Sequence, residues 1–161
     1  MVLIPEVGNI IARNKNAKLV HRWFEEVWNQ AREETINELF APNAVAYGLG
    51  ETDVDVQGPA QFKTFFHNLR TTFPDIHITI EDTVADGDKV TVRLVLEGTH
   101  QGDGLGIPPT GRRVRVAGIV IAKIAGGQIV AGWNSWDQLG LLRQLGAIPA
   151  PDADRFLTAH A

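Results

Sequence analysis

The sequence predicts an α+β fold in which helices come first and a curved antiparallel sheet follows. The helices are expected to cover the concave face of the sheet and leave a pocket between the layers. Three observations carry this. In the first half, apolar residues recur at helical spacing: Leu19, Val20, Trp23, Phe24, Val27 and Trp28, and later Phe62, Phe65, Phe66, Leu69 and Phe73. From Ile76 onward the period changes to two, with Ile76, Ile78 and Ile80, then Val90, Val92, Leu94 and Leu96, alternating with other residues. Short turns, Ala85-Asp86-Gly87-Asp88 and Ala125-Gly126-Gly127-Gln128, join consecutive strands as hairpins.

Taken in order, residues 1–13 show no strong period and are interrupted by Pro5 and Gly8, so they read as an N-terminal arm. Asn14 or Asn16 is the expected N-cap of the first helix. A shorter helix over Ala31–Phe40 is terminated by Pro42 and Asn43, and Ala44–Leu49 is a short strand carrying the single tyrosine, Tyr47. The acidic segment from Gly48 to Gly58 reads as a solvated loop. Pro59 opens a third helix that runs to about Thr72, before Pro74. Gly98 to Arg113, with its glycines and the Pro108-Pro109 pair, is too long for a simple turn, and loops of this kind often cover a site.

The stretch from Gly111 to Gly146 organises the rest. Its first strand places Val114, Val116, Val120 and Ile124 on one face and Ile119 and Ile121 on the other, so it is expected to be central and covered. The returning strand sets Val130, Gly132, Asn134 and Trp136 on one face, and Ile129, Ala131, Trp133 and Ser135 on the other. Gly118 and Gly132 are the expected bends. Asp137 stands where an N-cap would precede the helix LGLLRQL, and Gly146 ends that helix. One domain is expected over residues 1–161, with an arm at 1–13, a core at 14–146 and a weakly held tail at 147–161.

A chain of 161 residues, 44% hydrophobic and 21% charged, can bury a core unaided. A net charge of −4 with scattered Lys and Arg argues against a nucleic-acid partner. The absence of cysteine removes disulfides, a thiolate nucleophile and thiolate metal ligands. No apolar run approaches the about 20 residues of a membrane span, and the N-terminus does not read as a signal peptide, so no membrane partner and a cytoplasmic location are expected. No His or carboxylate pair has metal-site spacing, and the glycines from Gly102 to Gly106 do not lie between a strand and a helix, so neither a metal nor a phosphate loop is expected.

Four segments, GPAQFKTFFHNLRTTFPD, ITIEDTVADGDKVTVRLVLEGTHQG, LGIPPTGRRVRVAGIVIAKIAGGQIV and WNSWDQLGLLRQLG, together resemble the SnoaL-like polyketide cyclase family. That family lies within the wider nuclear-transport-factor-two-like fold, and the resemblance covers roughly Asn16 to Gly146. It implies a cone-shaped barrel with an internal pocket, a homodimer formed through the outer sheet face, and no metal or organic cofactor. The implied activity is that of a small lyase or isomerase acting on an apolar cyclic or polyketide-like molecule. In such cyclases an acid/base aspartate follows the tryptophan of the last strand, and a partner histidine lies across the hairpin. Asn134 and Val120 stand at those places here. Asn cannot ionise and Val offers no proton, so a non-catalytic small-molecule-binding protein is the alternative reading, with a metal-free hydrolase a more distant one.

Each candidate residue carries two readings. Asn134 is either a neutral partner for a substrate carbonyl or enol, or a buried amide satisfying backbone. Asp137 is a carboxylate at the pocket rim or a helix cap. His100, three residues before Asp103, is a general base or a structural hydrogen-bonding group. Trp28, Phe62, Phe66, Val116, Val120, Trp136 and Tyr47 are expected to line an apolar cavity for a flat ligand, although aromatic residues also simply fill cores. Trp133, on the opposite face from Trp136, is the expected dimer contact. His67 and His21 flank helices and read as pocket-lip or solvated residues.

Overall fold

The computed structural model describes residues 5–50 and 54–149. Helix α1 (Pro5–Trp23) begins inside the segment expected to be an arm. Pro5 occupies the first helical position, where a missing N–H costs nothing, so Asn14 and Asn16 lie within the helix rather than capping it. The helix widens into a π-helical turn at Phe24–Asn29, and Ala31, at φ 57°, reverses the chain. Helix α2 (Glu34–Leu39) is shorter than expected, because Phe40 is already extended at φ −102° and opens strand β1 (Phe40–Tyr47). The β1 ladder skips from Phe40 to Val45, so Pro42 sits where its missing N–H breaks no pairing.

Strand β2 (Val56–Gln57) leads into α3 (Gly58–Thr72). The meander β3 (His77–Asp86), β4 (Lys89–Thr99), β5 (Arg113–Ala125) and β6 (Gln128–Trp136) follows, and α4 (Gln138–Gln144) ends it. The strands form one sheet in the order β2-β1-β6-β5-β4-β3. All neighbours are antiparallel except β1 and β6, which run parallel. The sheet is curved but open, with β2 and β3 at its edges.

Two irregularities break the alternation where the sheet curves. In β6, Ile129 pairs with Ile124 but Ala131 pairs with Lys123, so Val130 is the extra residue of a bulge. The bulge brings Ile129 onto the buried face together with Gly132, which strict alternation had separated. In β3, Glu81 is skipped between the Ile80–Leu94 and Asp82–Arg93 pairs. Gly118 is different: it lies in unbroken register between Leu94 and Trp136, so it marks a close approach rather than a bulge.

The helices all pack on one face of the sheet. There Trp23, Phe40 and Phe62 form the aromatic centre, with ring centroids 5.0 Å apart for Trp23–Phe62 and 5.1 Å for Phe40–Phe62. Val114, Val116, Val120 and Ile124 of β5 are buried beneath this layer. Ile119 and Ile121 are 49% and 36% exposed, so β5 is central but covered on one face only. No described element crosses the convex side to bury them.

The two ends of β5 are tied to what precedes and follows it. The loop between β4 and β5 lies on the end of α3, where the N–H groups of Gln101 and Gly102 donate to Thr72 O at 2.9 and 3.2 Å. A side chain at Gly102 would strike Thr71 O, so this approach requires glycine. In α4, Asp137 Oδ1 accepts from Gly140 N at 2.8 Å as an N-cap. The helix ends with Ala147 N donating to Leu142 O at 2.9 Å and Gly146 left-handed at φ 73°, a Schellman closure. Gln144 then pairs with the edge of β5, accepting from Arg115 N at 2.8 Å and donating to Arg115 O at 2.9 Å.

Candidate functional site

A cavity of about 340 Å³ opens between α3, the π-helical turn and the concave sheet face. The sheet supplies Leu96, Val116, Asn134 and Trp136, and the helical layer supplies Trp28, Phe62, Phe65 and Leu69. Gly104 and Leu105 of the β4–β5 loop, with Gln138, Leu141 and Leu142 of α4, complete the wall. The aromatic walls follow from local sequence. Phe62, Phe65 and Leu69 share a stripe on α3 at spacings of three and four, and Trp28 meets Phe62 and Phe65 edge-on, both at 6.1 Å.

Polar side chains on this wall are three amides, Asn68, Asn134 and Gln138, and no ionisable side chain lines it among the described residues. Asn134 is held by its neighbours. It faces Val120 across the hairpin, and its Nδ2 donates to Tyr47 O on β1 at 2.9 Å. A Cβ on Gly48 would collide with Asn134 O, so glycine lets the chain after β1 press against β6. At the rim, Asn68 Nδ2 donates to Gly104 O at 3.2 Å, linking α3 to the β4–β5 loop. Such a wall can shape an apolar ligand and hydrogen-bond its oxygens, whereas none of its described side chains can exchange a proton near neutral pH.

The structure brings together Trp28, Phe62, Val116, Asn134 and Trp136 of the residues expected to line the pocket. It sets the others elsewhere. Tyr47 lies on the convex face, where its ring stacks on Trp133 at 5.8 Å and 14°, because parallel pairing with β6 aligns it with that outward residue. Phe66 is buried behind the wall against Trp28, and Val120 lies beneath the helices away from the cavity. Asp137 is exposed and spends its carboxylate on the α4 cap.

His100 is fully buried but off the cavity, packed on Phe73 at 5.8 Å. Its Nδ1 accepts from Thr110 N at 3.2 Å, clamping the two ends of the β4–β5 loop, and no hydrogen bond joins it to Asp103. Accepting at Nδ1 puts the ring proton of the neutral form on Nε2, which is buried without a hydrogen-bond partner among the described residues. His67 is exposed beside Glu33 at 3.2 Å, and His21 bonds Thr83 Oγ1 at 2.7 Å, so neither reaches the wall.

Sequence reasoning missed Asn68, Gln138, Leu105, Leu141 and Leu142. A signal existed for four of these: Leu141 and Leu142 follow Gln138 by three and four residues, so one face of α4 carries all three. Asn68 similarly sits three residues beyond Phe65 on α3. No group of three or more His, Asp or Glu side chains is placed to hold a metal among the described residues.

A curved open sheet, a helical cover and an apolar cavity between them define a small α+β pocket protein. Residues 18–145 match the SnoaL-like polyketide cyclase family, and the chain belongs to it. It is 29% identical over 132 residues to the aklanonic acid methyl ester cyclase DnrD of Streptomyces peucetius, covering 81% of this chain and 91% of that one. It is 31% identical over 126 residues to the nogalonic acid methyl ester cyclase of Streptomyces nogalater, covering 78% and 92% of the two chains. Among solved structures, TsrD from Streptomyces laurentii is similar at a TM-score of 0.75 and 28% identity, over 84% of this chain and 98% of that one.

Proposed function

We propose that the cavity binds one planar, largely apolar molecule of polyketide type, and that the chain acts on it as a small cyclase-like lyase or isomerase. The observation that supports this reading best is the wall itself. About 340 Å³ lined by Trp28, Phe62, Phe65, Trp136 and aliphatic neighbours, with three neutral amides, suits a flat ring system with few polar groups. Confinement holds a flexible chain in the fold that brings its reacting carbons together, and Asn134 is placed to hydrogen-bond an oxygen of that chain. The first substrate to try is the kind named for the relatives, aklanonic acid methyl ester.

The absence of an ionisable side chain from the described wall favours a second reading, a binding protein on the same scaffold. One experiment separates the two. Fluorescence titration of the purified protein with aklanonic acid methyl ester is followed by chromatography of the mixture. Saturable binding with a cyclised product supports the enzyme, and saturable binding of unchanged ligand supports the binding protein. A flat titration with no product removes both.

The same reading includes a homodimer. On the convex face Tyr47, Trp133, Ile121, Thr91 and Val84 are successive cross-strand partners and form one row across the sheet. Trp133 is 41% and Val84 64% exposed, so the row presents an apolar strip that a second copy can cover.

A further inference from the structure

Resting on the small-molecule pocket proposed above, we infer that Asn29 is a positioning residue for that pocket: by tying the π-helical turn to the edge of the sheet, it sets where the indole of Trp28 stands against a ligand. Asn29 is the last residue of the turn and does not itself line the cavity. Trp28, the residue before it, is 4% exposed and does.

The side chain of Asn29 behaves as a piece of strand. Its Oδ1 accepts from Ile78 N at 2.7 Å, and its Nδ2 donates to Ile78 O at 2.9 Å. Strand β3 is an edge of the sheet, and at Ile78 the amide takes the place of a neighbouring strand. A backbone N–H only donates and a backbone carbonyl only accepts, so Ile78 fixes which way the amide points. The remaining N–H of Nδ2 goes to Glu25 Oε2 at 2.8 Å, one turn back. A second hold comes from α3, where Arg70 Nη1 donates to Trp28 O at 2.7 Å while its guanidinium lies over the Phe66 ring at 5.9 Å.

The chain at Trp28 and Asn29 is thus pinned to both layers that enclose the cavity, β3 on one side and α3 on the other. Phe24 and Ile78 line the cavity as well, so one amide sets three wall residues from two elements in register. The turn it closes is widened: Gln30 N reaches back five residues, to Glu25 O at 2.9 Å, a geometry found mostly as single turns and frequently at functional sites. Alanine at this position would leave both backbone groups of Ile78 unpaired and free the turn from the sheet.

The test is a double-mutant cycle on the full-length protein, with 2-naphthol as the probe and calorimetry as the readout. Trp28→Leu is expected to weaken binding about tenfold, through lost ring area, and Asn29→Ala about fivefold. The double variant should bind no more weakly than Trp28→Leu, because a residue that acts through the indole then has nothing left to act on. With the four tryptophans replaced by 5-fluorotryptophan, the fluorine line that disappears in Trp28→Leu should shift in Asn29→Ala, while that of Trp133 on the convex face stays in place. Both readouts are taken well below the Tm, so a loss of stability alone moves neither. Should Asn29→Ala fail to fold, Asn29→Asp, which keeps the bond from Ile78 N and loses the one to Ile78 O, carries the same cycle. Binding by the Asn29 variant equal to the parent, or losses that simply add in the double variant, overturns the inference and leaves the pocket standing. A parent that does not bind 2-naphthol removes the pocket reading and the inference together.

Discussion

Trp136 lies across Gly118. The two residues are direct cross-strand partners on the concave face, and a Cβ built on Gly118 would collide with Cε3 of the indole. The glycine is therefore the seat of an aromatic wall residue. Gly118→Val should lift the ring into the cavity or force the strands apart, at a cost of about 1–3 kcal/mol by overpacking. Urea denaturation measures the stability loss, and a shift of the tryptophan emission reports the displaced ring. Unchanged stability and emission would show that the ring has room to move.

Asn134→Asp should make stability pH-dependent. A carboxylate would face Tyr47 O without a hydrogen to donate, inside an apolar wall, and both effects raise its pKa above the unfolded value. The native state then holds its proton to higher pH than the unfolded state, so stability is retained in acid and lost as pH rises through the folded pKa. Denaturation of variant and parent at about pH 4 and about pH 8 checks this, with the larger deficit expected at the higher pH. If the chain cyclises a substrate, the same variant should turn over faster, with a shifted pH optimum, because a carboxylate exchanges protons and an amide does not.

Asp137→Ala should destabilise α4 by about 1 kcal/mol, the usual value of an N-cap, while Asp137→Asn retains most of the capping bond. The helix buries little of its own surface, yet it brings Gln138, Leu141 and Leu142 to the cavity. Ligand affinity should therefore fall in the Ala variant and recover in the Asn variant. Affinity equal to the parent in both would separate the cap from the wall.

Asp75 supplies a second pH dependence, of opposite sign. The backbone N–H of Thr99 at 2.6 Å, then its hydroxyl at 2.7 Å and the nearby Arg113 guanidinium, hold this carboxyl below its ordinary value. A depressed carboxylate contributes stability that is present above the unfolded pKa and lost as pH falls through the folded one. Asp75→Asn should lower the Tm at neutral pH, and the gap should narrow in acid once the parent carboxyl is protonated. A gap independent of pH would point to packing rather than charge.

Trp133→Arg tests the convex row. Sedimentation of the parent at micromolar concentration should give twice the chain mass of 17.6 kDa, and the variant should run as one chain with its cavity intact. A parent that sediments as a single chain removes the dimer.

Local chemistry wrote much of this molecule into the sequence. The two-residue period of β4 and β5, the Gly126-Gly127 turn with φ of 58° and 74°, the Asp137 cap and the Gly146 stop each depend on neighbours within a few residues. Family membership is likewise legible in the sequence, over residues 18–145. Tyr47, Ile129 and the β1–β6 pairing were decided at longer range. A strand shows opposite faces at successive residues, so one extra residue at Val130 puts Ile129 on the buried face, and the parallel register with β6 puts Tyr47 on the convex one. The setting of Asn134 belongs to this second group. That Asn134 is an amide is read from the chain, but the partner of its NH₂ is a carbonyl of residue 47, brought to within 2.9 Å only when the first strand lies beside the last.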